Sequence, residues 1–390
     1  MPPFLVSGAS VGDRSGLEFP RMRLSVLHLR RQPWRHLLLV AVVALLATLL
    51  FVLVTIRGTL VDSLSGAVAS ADADLVAISE GVQGSLQGSR VSPIDVRSAA
   101  GVAGVRTVEP VGELRMRADV GDGPVDVSLW GAHADGPGPP GSLVAGRMPR
   151  AGDEAVVDVA DRSRGYDVGA HVVLDGVEGE LEVVGLVEGS RSGGLATLFT
   201  TYPGWSAVVA QRFSEADAIR PNAVAIRTEP SVEVAAVAAE IERRTDLEVR
   251  EPAAAAARLP GIADIERSLS LVGGVALGGI LLVVASFFSV TIAQRERSLA
   301  VMRATGASTT RLVGMVAAEA LVVSIVGIAV AVGAVVAMGV AAPPTFPLAP
   351  RGTSLVWLST AVLVAAVLAA LVPTYRIGRV DLRGPLEGRV

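Results

Sequence analysis

Four long apolar stretches dominate the pattern of hydrophobic and polar positions along this chain. Residues 37–56, 268–293 and 352–375 carry no charge, and residues 312–340 carry a single one, at Glu319. Each stretch has at least about 18 residues, enough to cross a hydrocarbon core of about 30 Å as a helix. The pattern therefore predicts four transmembrane helices, at residues 37–57, 268–293, 312–340 and 352–375.

The segment between the first two predicted spans, residues 58–267, has the mixed pattern of an α/β domain. Clusters of Gly and Pro at residues 132–141 and 189–194 predict loops, and the first of these is the predicted boundary between two lobes. Several segments with period-two alternation or short apolar runs predict strands. These predicted strands are residues 74–79, 113–120, 125–131, 154–159 and 180–187.

Three helices are predicted within the same domain. Ser92 is expected to cap the first, because Pro93 follows at the first helical position and Asp95 lies in the first turn. Ser231 is expected to cap the second, whose apolar positions recur at helical spacing. The third is predicted from residue 253 to residue 265 and is expected to continue into the second span.

Arginines are distributed unevenly around the predicted spans. The segment before the first span, the loop at residues 294–311 and the segment after the last span carry 14 Arg against five acids, a net charge of +9. Residues 57–267 carry 19 Arg against 32 acids, a net charge of −13. By the positive-inside rule, both termini and the 294–311 loop are cytoplasmic, while residues 58–267 and the loop at 341–351 lie outside.

The two ends of the chain differ from the spans. Residues 1–20 are rich in Gly, Ser and Pro and predict a disordered cytoplasmic tail. Residues 21–36 combine leucines, arginines and Trp34 beside the first span, which predicts an elbow helix on the membrane surface. Residues 376–390 are predicted to form a second cytoplasmic tail. The chain is thus predicted to be a multi-pass plasma membrane protein.

The composition excludes several kinds of chemistry. The chain is 51% hydrophobic, has no Cys, and all 34 of its basic residues are Arg. Without Lys a GxxxxGK[ST] nucleotide-binding loop cannot form, so ATP-driven work requires another chain. His28, His36, His133 and His171 show no ligand-like spacing, and no Ser, His and acid form a catalytic set. We predict no catalytic residue, metal or cofactor in this chain, and no nucleic-acid partner.

Three stretches together resemble one family. They are QRERSLAVMRATGAS at residues 294–308, GRMPRAGDEAVVD at 146–158 and LVPTYRIGRVDLRGPLEG at 371–388. With the order of one span, a large domain and three further spans, they resemble the permease subunits of MacB/LolC/FtsX-type (type VII) ABC transporters. The fold class implied is a membrane protein of four transmembrane α-helices, with a mixed α/β extracytoplasmic domain inserted between helices 1 and 2.

The resemblance implies a permease dimer docked on two cytoplasmic ABC ATPase subunits, which bind the ATP. The loop at 294–311 then becomes the ATPase-coupling element, because Arg suits bidentate contacts to carboxylates. Taken without the resemblance, the same arginines are topological markers that bind anionic lipid headgroups at about 1 kcal/mol each. The candidate coupling residues are Arg295, Glu296, Arg297, Arg303, Gly306 and Ala307.

Two features within the spans are further candidates. Glu319 lies in the third span, where a carboxylate is expected to face protein or water. A polar contact between helices, with Ser289 or a coupling arginine, is favoured for it over a proton relay. Gly274 and Gly278 form a GxxxG pattern that permits close helix approach at a dimer seam, although Gly is also common in membrane helices generally.

The favoured function is the permease of an ABC exporter that expels an amphipathic or hydrophobic substrate by mechanotransmission. The alternative is an FtsX-like transmembrane regulator of a cell-wall hydrolase. A third class is a non-transport receptor or adhesin. The size of the inserted domain favours the exporter, and the cytoplasmic coupling loop argues against the receptor.

Overall fold

The computed structural model describes residues 33–121, 123–140, 142–213, 219–294, 301–302, 305, 308–342 and 350–372. These residues form two compact units. The membrane unit consists of the described residues within Met1–Leu50, Ala276–Ala334 and Thr353–Val390. The α/β unit consists of those within Phe51–Val275 and Val335–Gly352.

Four of the described helices are long and apolar enough to cross a membrane. They are α1 (Pro33–Ala69), α6 (Ile262–Gln294), α7 (Thr309–Ala341) and α8 (Gly352–Leu371). The predicted elbow is corrected at its end, because one helix starts at Pro33 and runs through residues 36 and 57 without a break. The polar turns after residue 57 contain no Pro, and single glycines cost a helix only about 1 kcal/mol each. The first span therefore extends well beyond its apolar stretch.

Small residues bring α1 and α7 together in the membrane unit. A Cβ added at Gly327 of α7 would lie 2.9 Å from Cγ1 of Val43 and 3.4 Å from the backbone nitrogen of Ala44. Ala44 and Ala47 of α1 are buried, as is Ala331 of α7. Small side chains let two membrane helices approach closely, so their van der Waals contact holds this pair together.

The α/β unit contains a branched sheet. Its order is β10-β1-β9-β2-β3-β8-β5-β7-β4, and β6 pairs with both β2 and β7. The strands are β1 (Leu75–Ser79), β2 (Val105–Asp119), β3 (Val125–Ala132), β4 (Leu143–Gly146), β5 (Glu154–Asp158), β6 (His171–Leu174), β7 (Glu180–Val187), β8 (Ala196–Thr201), β9 (Ala223–Thr228) and β10 (Leu247–Arg250). The shorter helices are α2 (Pro93–Ala100), α3 (Tyr202–Arg212), α4 (Val234–Arg244) and α5 (Pro252–Ala257), with a 3₁₀ helix at Val159–Arg164.

The long strand β2 divides the unit into two lobes. Its first part, up to Val111, pairs with β9, and its second part, from Gly112, pairs with β3. Lobe 1 comprises β1, β9, β10, the first part of β2, and helices α2 and α4, around one buried core. Lobe 2 comprises the second part of β2, strands β3 to β8, and α3, around another. A third buried cluster lies between the two.

The predicted lobe boundary at residues 132–141 is therefore corrected. That loop connects β3 to β4 within lobe 2. It also reaches lobe 1, since the backbone nitrogen of Asp72 donates to the Pro139 carbonyl at 3.0 Å. Lobe 1 is built from both ends of the segment, because the chain leaves it within β2 and returns at β9. Gly and Pro mark a turn in the backbone and carry no signal of which sheet the next strand joins.

Two helix predictions are corrected and one is confirmed. The Ser92 hydroxyl accepts from the Asp95 backbone nitrogen at 3.1 Å and caps α2 as expected. Ser231 does not cap α4, which begins three residues later with Glu233 at the cap position. The third helix does not continue into the second span, because α5 ends at Ala257 and Gly261 adopts a left-handed φ of +83° before α6 begins.

The Trp205 side chain of α3 packs against β2 and β3, at the point where β2 changes its pairing partner from β9 to β3. Gly112 and Gly131 face each other across β2 and β3. A Cβ at either position would lie within 2.3 Å of the Trp205 side chain, which is fully buried. The two glycines thus leave the space that the indole fills.

Candidate functional site

The C-terminal part of α1, from Phe51, belongs to the α/β unit. Ala67 and Val68, in its last turn, are buried in the cluster between the lobes, together with Val111, Trp130 and Phe199. A continuous helix that ends inside a hydrophobic core is held there by the apolar area it removes from water. The end of the first span is therefore a structural member of this unit and not a linker to it.

A loop of lobe 2, residues 189–194, holds this helix end through the backbone. We call it the α1-capping loop. The Ala67 backbone nitrogen donates to the Arg191 carbonyl at 2.9 Å, and the nitrogens of Gly193 and Gly194 donate to the carbonyls of Leu64 and Ser63 at 3.0 and 2.8 Å. Three bonds between backbone groups depend on close approach of the two segments.

Gly66 makes that approach possible. A Cβ at this position would lie 2.5 Å from the carbonyl oxygen of Gly189 and 3.1 Å from that of Arg191. Both neighbours are backbone atoms, which cannot rotate away as a flexible side chain does. By contrast, a Cβ at Gly58 of the same helix meets no described atom within 4 Å.

Buried charges fix the α1-capping loop to lobe 2. The backbone nitrogen of Ser190 donates to Oδ2 of Asp158 at 2.7 Å. Nε of Arg191 lies 3.2 Å from Oδ2 of Asp161, whose other oxygen lies 3.1 Å from Arg164. Burial raises the pKa of Asp161 and outweighs the opposing effect of the two arginines. Removing charges from water in this way is costly unless each remains paired.

Glu113 joins the same region from β2, directly after the strand changes partner. Its backbone nitrogen donates to Oδ1 of Asn222 at 2.7 Å, and its carboxylate accepts from the Ser128 hydroxyl at 3.4 Å. Burial raises the pKa of Glu113, against the attraction of Arg115 and hydrogen bonds that include one from Ser192 of the α1-capping loop. A buried carboxylate therefore lies at the point where both lobes and the helix end meet.

Glu113→Gln is expected to stabilise the protein at pH 7. Because burial raises the folded-state pKa above the ordinary value of 4.5, protonation of this carboxyl group favours folding. The stability contributed by the protonated Glu113 carboxyl group is complete below pH 4.5 and is lost as the pH rises through the folded-state pKa. Glutamine stays neutral, so the thermal midpoint should exceed that of the wild type at pH 7 and match it near pH 4.

The measurement is thermal unfolding of the detergent-purified chain followed by tryptophan fluorescence. Glu178→Gln, at an exposed carboxylate of lobe 2, is the control and should change neither midpoint. A thermal midpoint of Glu113→Gln below that of the wild type at pH 7 would show that the ionised carboxylate stabilises the folded protein.

Two ion pairs link α1 to other parts of the α/β unit. Arg57 lies 3.0 Å from Glu266 of α6. Asp62 accepts from Arg351, the residue before α8, at 2.5 Å. Both pairs are partly exposed, so each contributes about 1 kcal/mol or less. These pairs fix the position of α1 more than they stabilise the fold.

The residues predicted to couple the chain to an ATPase, which are Arg295, Glu296, Arg297, Arg303, Gly306 and Ala307, lie outside the described residues. So do residues 1–32 and 373–390, which include both predicted tails. These assignments stay predictions.

Glu319 is described and is half-buried on α7, with one carboxylate oxygen shielded. Ser289, one partner considered for it, donates its hydroxyl to the Ala285 carbonyl of its own helix at 2.7 Å. A Cβ at Gly274 or Gly278 meets no described atom within 4 Å, and the nearby Val275 is 68% exposed. This face of α6 is open in one chain, and both the Glu319 contact and the dimer seam stay predictions.

The structure brings together residues that sequence reasoning did not select. Within the described residues no group of three or more His, Asp or Glu side chains has the arrangement of a metal site. The α1-capping loop was recognised only as a Gly-rich loop, and Gly66 carried no signal apart from its position beyond the apolar stretch. Asp158 and Asp161 were indistinguishable from the many other acids of the segment.

The fold, with the end of α1 bonded to the α1-capping loop, defines a class of protein. It is a multi-pass membrane protein with a large α/β domain inserted between its first two spans. Residues 270–382 match the family model of the FtsX-like permease C-terminal domain. This match confirms, for residues 270–382, the resemblance to an FtsX-type permease found in the sequence. Permeases of this family generally work with a cytoplasmic ATPase subunit.

Two solved structures are similar to the α/β part. The periplasmic region of MacB from Actinobacillus actinomycetemcomitans is 15% identical, with 47% of this chain and 91% of that chain covered and a TM-score of 0.34. The extracellular domain of the noncanonic ABC-type transporter YknZ from Gram-positive bacteria is 16% identical, with 45% and 98% covered and a TM-score of 0.32. No curated protein matches the chain. Likenesses of this degree say nothing about substrate or partner.

Proposed function

We propose that this chain is the permease subunit of an ABC exporter that transmits ATP-driven motion of a separate ATPase to its α/β unit. The observation that carries the proposal is α1, a single helix of 37 residues, whose outer end is bonded to the α1-capping loop. At 1.5 Å per residue such a helix is about 55 Å long. A helix transmits displacement along its axis, whereas a flexible linker absorbs it.

The ion pairs around α1 support the same proposal. Because Arg57 is paired with Glu266 and Asp62 with Arg351, displacement of α1 is shared with α6 and with the start of α8. Motion of the helices thus reaches both lobes, since α1 ends in the cluster between them. Repeated closure of that unit expels an amphipathic or hydrophobic substrate.

The distribution of charge supports the assignment of the cytoplasmic segments. Both termini and residues 294–311 are assigned to the cytoplasm by their excess of arginine. There the residues Arg295, Arg297 and Arg303 bind carboxylates of the ATPase. A second copy of the permease completes the transporter, with the Gly274 and Gly278 face of α6 at the seam.

The test begins with co-purification of the chain with its ABC ATPase partner. Arg303→Glu is expected to abolish ATPase association, because the new negative charge repels the ATPase carboxylates that Arg303 binds. The variant should still insert into the membrane at the wild-type level. Arg267→Glu, at an exposed arginine of α6 in the α/β unit, is the matched control and should associate normally. Normal association of Arg303→Glu would refute the coupling assignment.

The reconstituted complex separates the two functions of this family. An exporter is expected to raise its ATPase rate with an amphipathic compound from a substrate screen. A rate that responds to a cell-wall hydrolase and to no such compound would instead support the regulatory alternative.

A further inference from the structure

An open cleft of about 850 Å³ lies between the two lobes of the α/β unit. Lobe 1 contributes strands β2 and β9 to its wall, and lobe 2 contributes the segment between β4 and β5. The loop after β3, with His133, also lines the cleft. The volume is within the range of about 300–1,000 Å³ found for small-molecule sites. The cleft is polar, and its lining does not include the α1-capping loop or the end of α1.

Unpaired arginines are concentrated in this cleft. The segment between the first two spans has 19 Arg against 32 acids, so most of its arginines find a carboxylate or a carbonyl. Among those the structure describes there, only Arg97, Arg106 and Arg150 have neither a side-chain hydrogen bond nor an ion pair with a described residue. Two of these three, Arg106 and Arg150, line the cleft, one from each lobe.

A β-bulge directs Arg106 towards the cleft. In the pairing of β2 with β9, Val105 faces Thr228 and Thr107 faces Arg227, so Arg106 is the extra residue. Bulges re-aim side chains and occur frequently beside functional sites. Arg227 also lines the cleft, but it is paired with Asp72 at 2.8 Å. Arg106 is therefore the cation of the lobe 1 wall whose side chain has no partner among the described residues.

A rigid turn presents Arg150 from lobe 2. Gly146 has a φ of +73°, and a Cβ there would lie 2.2 Å from the Val184 carbonyl oxygen. Arg147 then forms a bidentate pair with Glu154, at 2.6 and 2.5 Å, and the Arg150 backbone nitrogen donates to the same carboxylate at 2.8 Å. These bonds lower the pKa of Glu154 to about 2. The turn uses Arg147 to hold its shape and leaves the guanidinium of Arg150 in the cleft.

The loop after β3 adds a further polar group, His133, to the cleft. His133 lies 3.5 Å from Glu109 and stacks on Tyr202 with ring centroids 5.9 Å apart. Asp135 also lines the cleft, so its charge is mixed and the two unpaired arginines form its anion-binding element. The GRMPRAGDE stretch, which the proposed function did not use, builds one side of this element.

We propose that the cleft binds a small multivalent anion, with carboxylate or phosphate groups, between Arg106 of lobe 1 and Arg150 of lobe 2. Guanidinium groups bind both kinds of oxyanion in bidentate geometry. A ligand with two or more anionic groups contacts both arginines at once, whereas a monovalent one contacts one. Because the arginines come from different lobes, the bound anion also holds the lobes together.

The test uses citrate and inorganic pyrophosphate as probes of the two anion types on the full detergent-purified chain. Titration calorimetry and thermal unfolding should show saturable binding and a raised midpoint for at least one probe. Arg106→Gln and Arg150→Gln should each weaken that binding by at least about tenfold, since each removes a charge-assisted bond. Acetate at equal ionic strength should give no comparable effect.

Arg97→Gln is the matched control, because Arg97 is the third unpaired arginine and lies on α2, outside the cleft. It should bind the probes as the wild type does, which separates a built site from general electrostatic attraction. Unchanged probe-free midpoints of the two cleft variants show that they fold. Failure of both probes to bind the wild type, or equal binding by all variants, would overturn the proposal without affecting ATPase coupling.

Discussion

Gly66→Ala is expected to lower the thermal midpoint of the protein and to uncouple its ATPase partner. The added Cβ would lie 2.5 Å from the Gly189 carbonyl oxygen, so α1 and the α1-capping loop must separate. Overpacking of this kind costs about 1–3 kcal/mol, while the better helix propensity of Ala returns up to about 1 kcal/mol. The net loss of about 1–2 kcal/mol corresponds to a fall of about 2–8 °C for a domain of this size.

Gly58→Ala is the control in the same helix. It meets no described atom within 4 Å, so it gains helix propensity without a clash, and its midpoint should rise slightly. Thermal unfolding and the substrate-stimulated ATPase rate of the reconstituted complex are the two readouts. Stimulation should fall in Gly66→Ala and stay normal in Gly58→Ala. Shifts of the same sign in both variants would show that the close approach at Gly66 is unimportant.

Arg191→Gln is expected to destabilise the α/β unit by about 3 kcal/mol, because it leaves the buried carboxylate of Asp161, whose pKa burial already raises, with Arg164 as its remaining ion-pair partner. The side chain of Arg191 is 11% exposed and has Asp161 as its ion-pair partner. Loss of this pair should release the α1-capping loop from lobe 2. For a domain of this size the thermal midpoint should fall by roughly 6–12 °C.

Asp167→Asn gives the comparison within the same segment. Asp167 pairs with Arg162 at 2.9 Å, and both side chains are about half exposed. Exposed pairs contribute about 0–1 kcal/mol, so the midpoint should change by no more than about 4 °C. Equal effects of the two substitutions would mean that the Asp161 pair is no stronger than a surface contact.

Much of the membrane part was predictable from the sequence. Long uncharged runs identify spans because lipid leaves a helix few alternatives, and all four predicted spans coincide with long apolar helices. The ends of the spans were not predictable in the same way. Helix α1 continues to Ala69 because nothing in its polar turns breaks it and because the lobes bury its last residues.

In the α/β unit, period-two alternation identified five of the strands but missed β4, β6, β8, β9 and β10. Strand β8 is buried at all six positions and so has no alternation to detect. Strands β4, β6 and β10 have four residues each, too few to show a period. The pattern of a short run does not distinguish a buried strand from a piece of helix.

The candidate sites divide in the same way. Glu319 was visible because a carboxylate in an apolar run stands out by itself. Gly66, Asp161 and Glu113 were not, because the value of each depends on what lies next to it. An acid among 32 in one segment becomes distinctive only when burial removes it from water.

The sequence by itself determined that this chain has four segments apolar and long enough to cross a membrane, that it has no Lys for a GxxxxGK[ST] loop, and which family it resembles. Those conclusions follow from composition, charge and local order, which require no knowledge of distant contacts. Only the tertiary structure decided where the two lobes divide, how the end of α1 is held, and which arginines face a common cleft. Each of these depends on residues far apart in the chain, such as Gly66 and Gly189, meeting at distances where a single methyl group changes the packing.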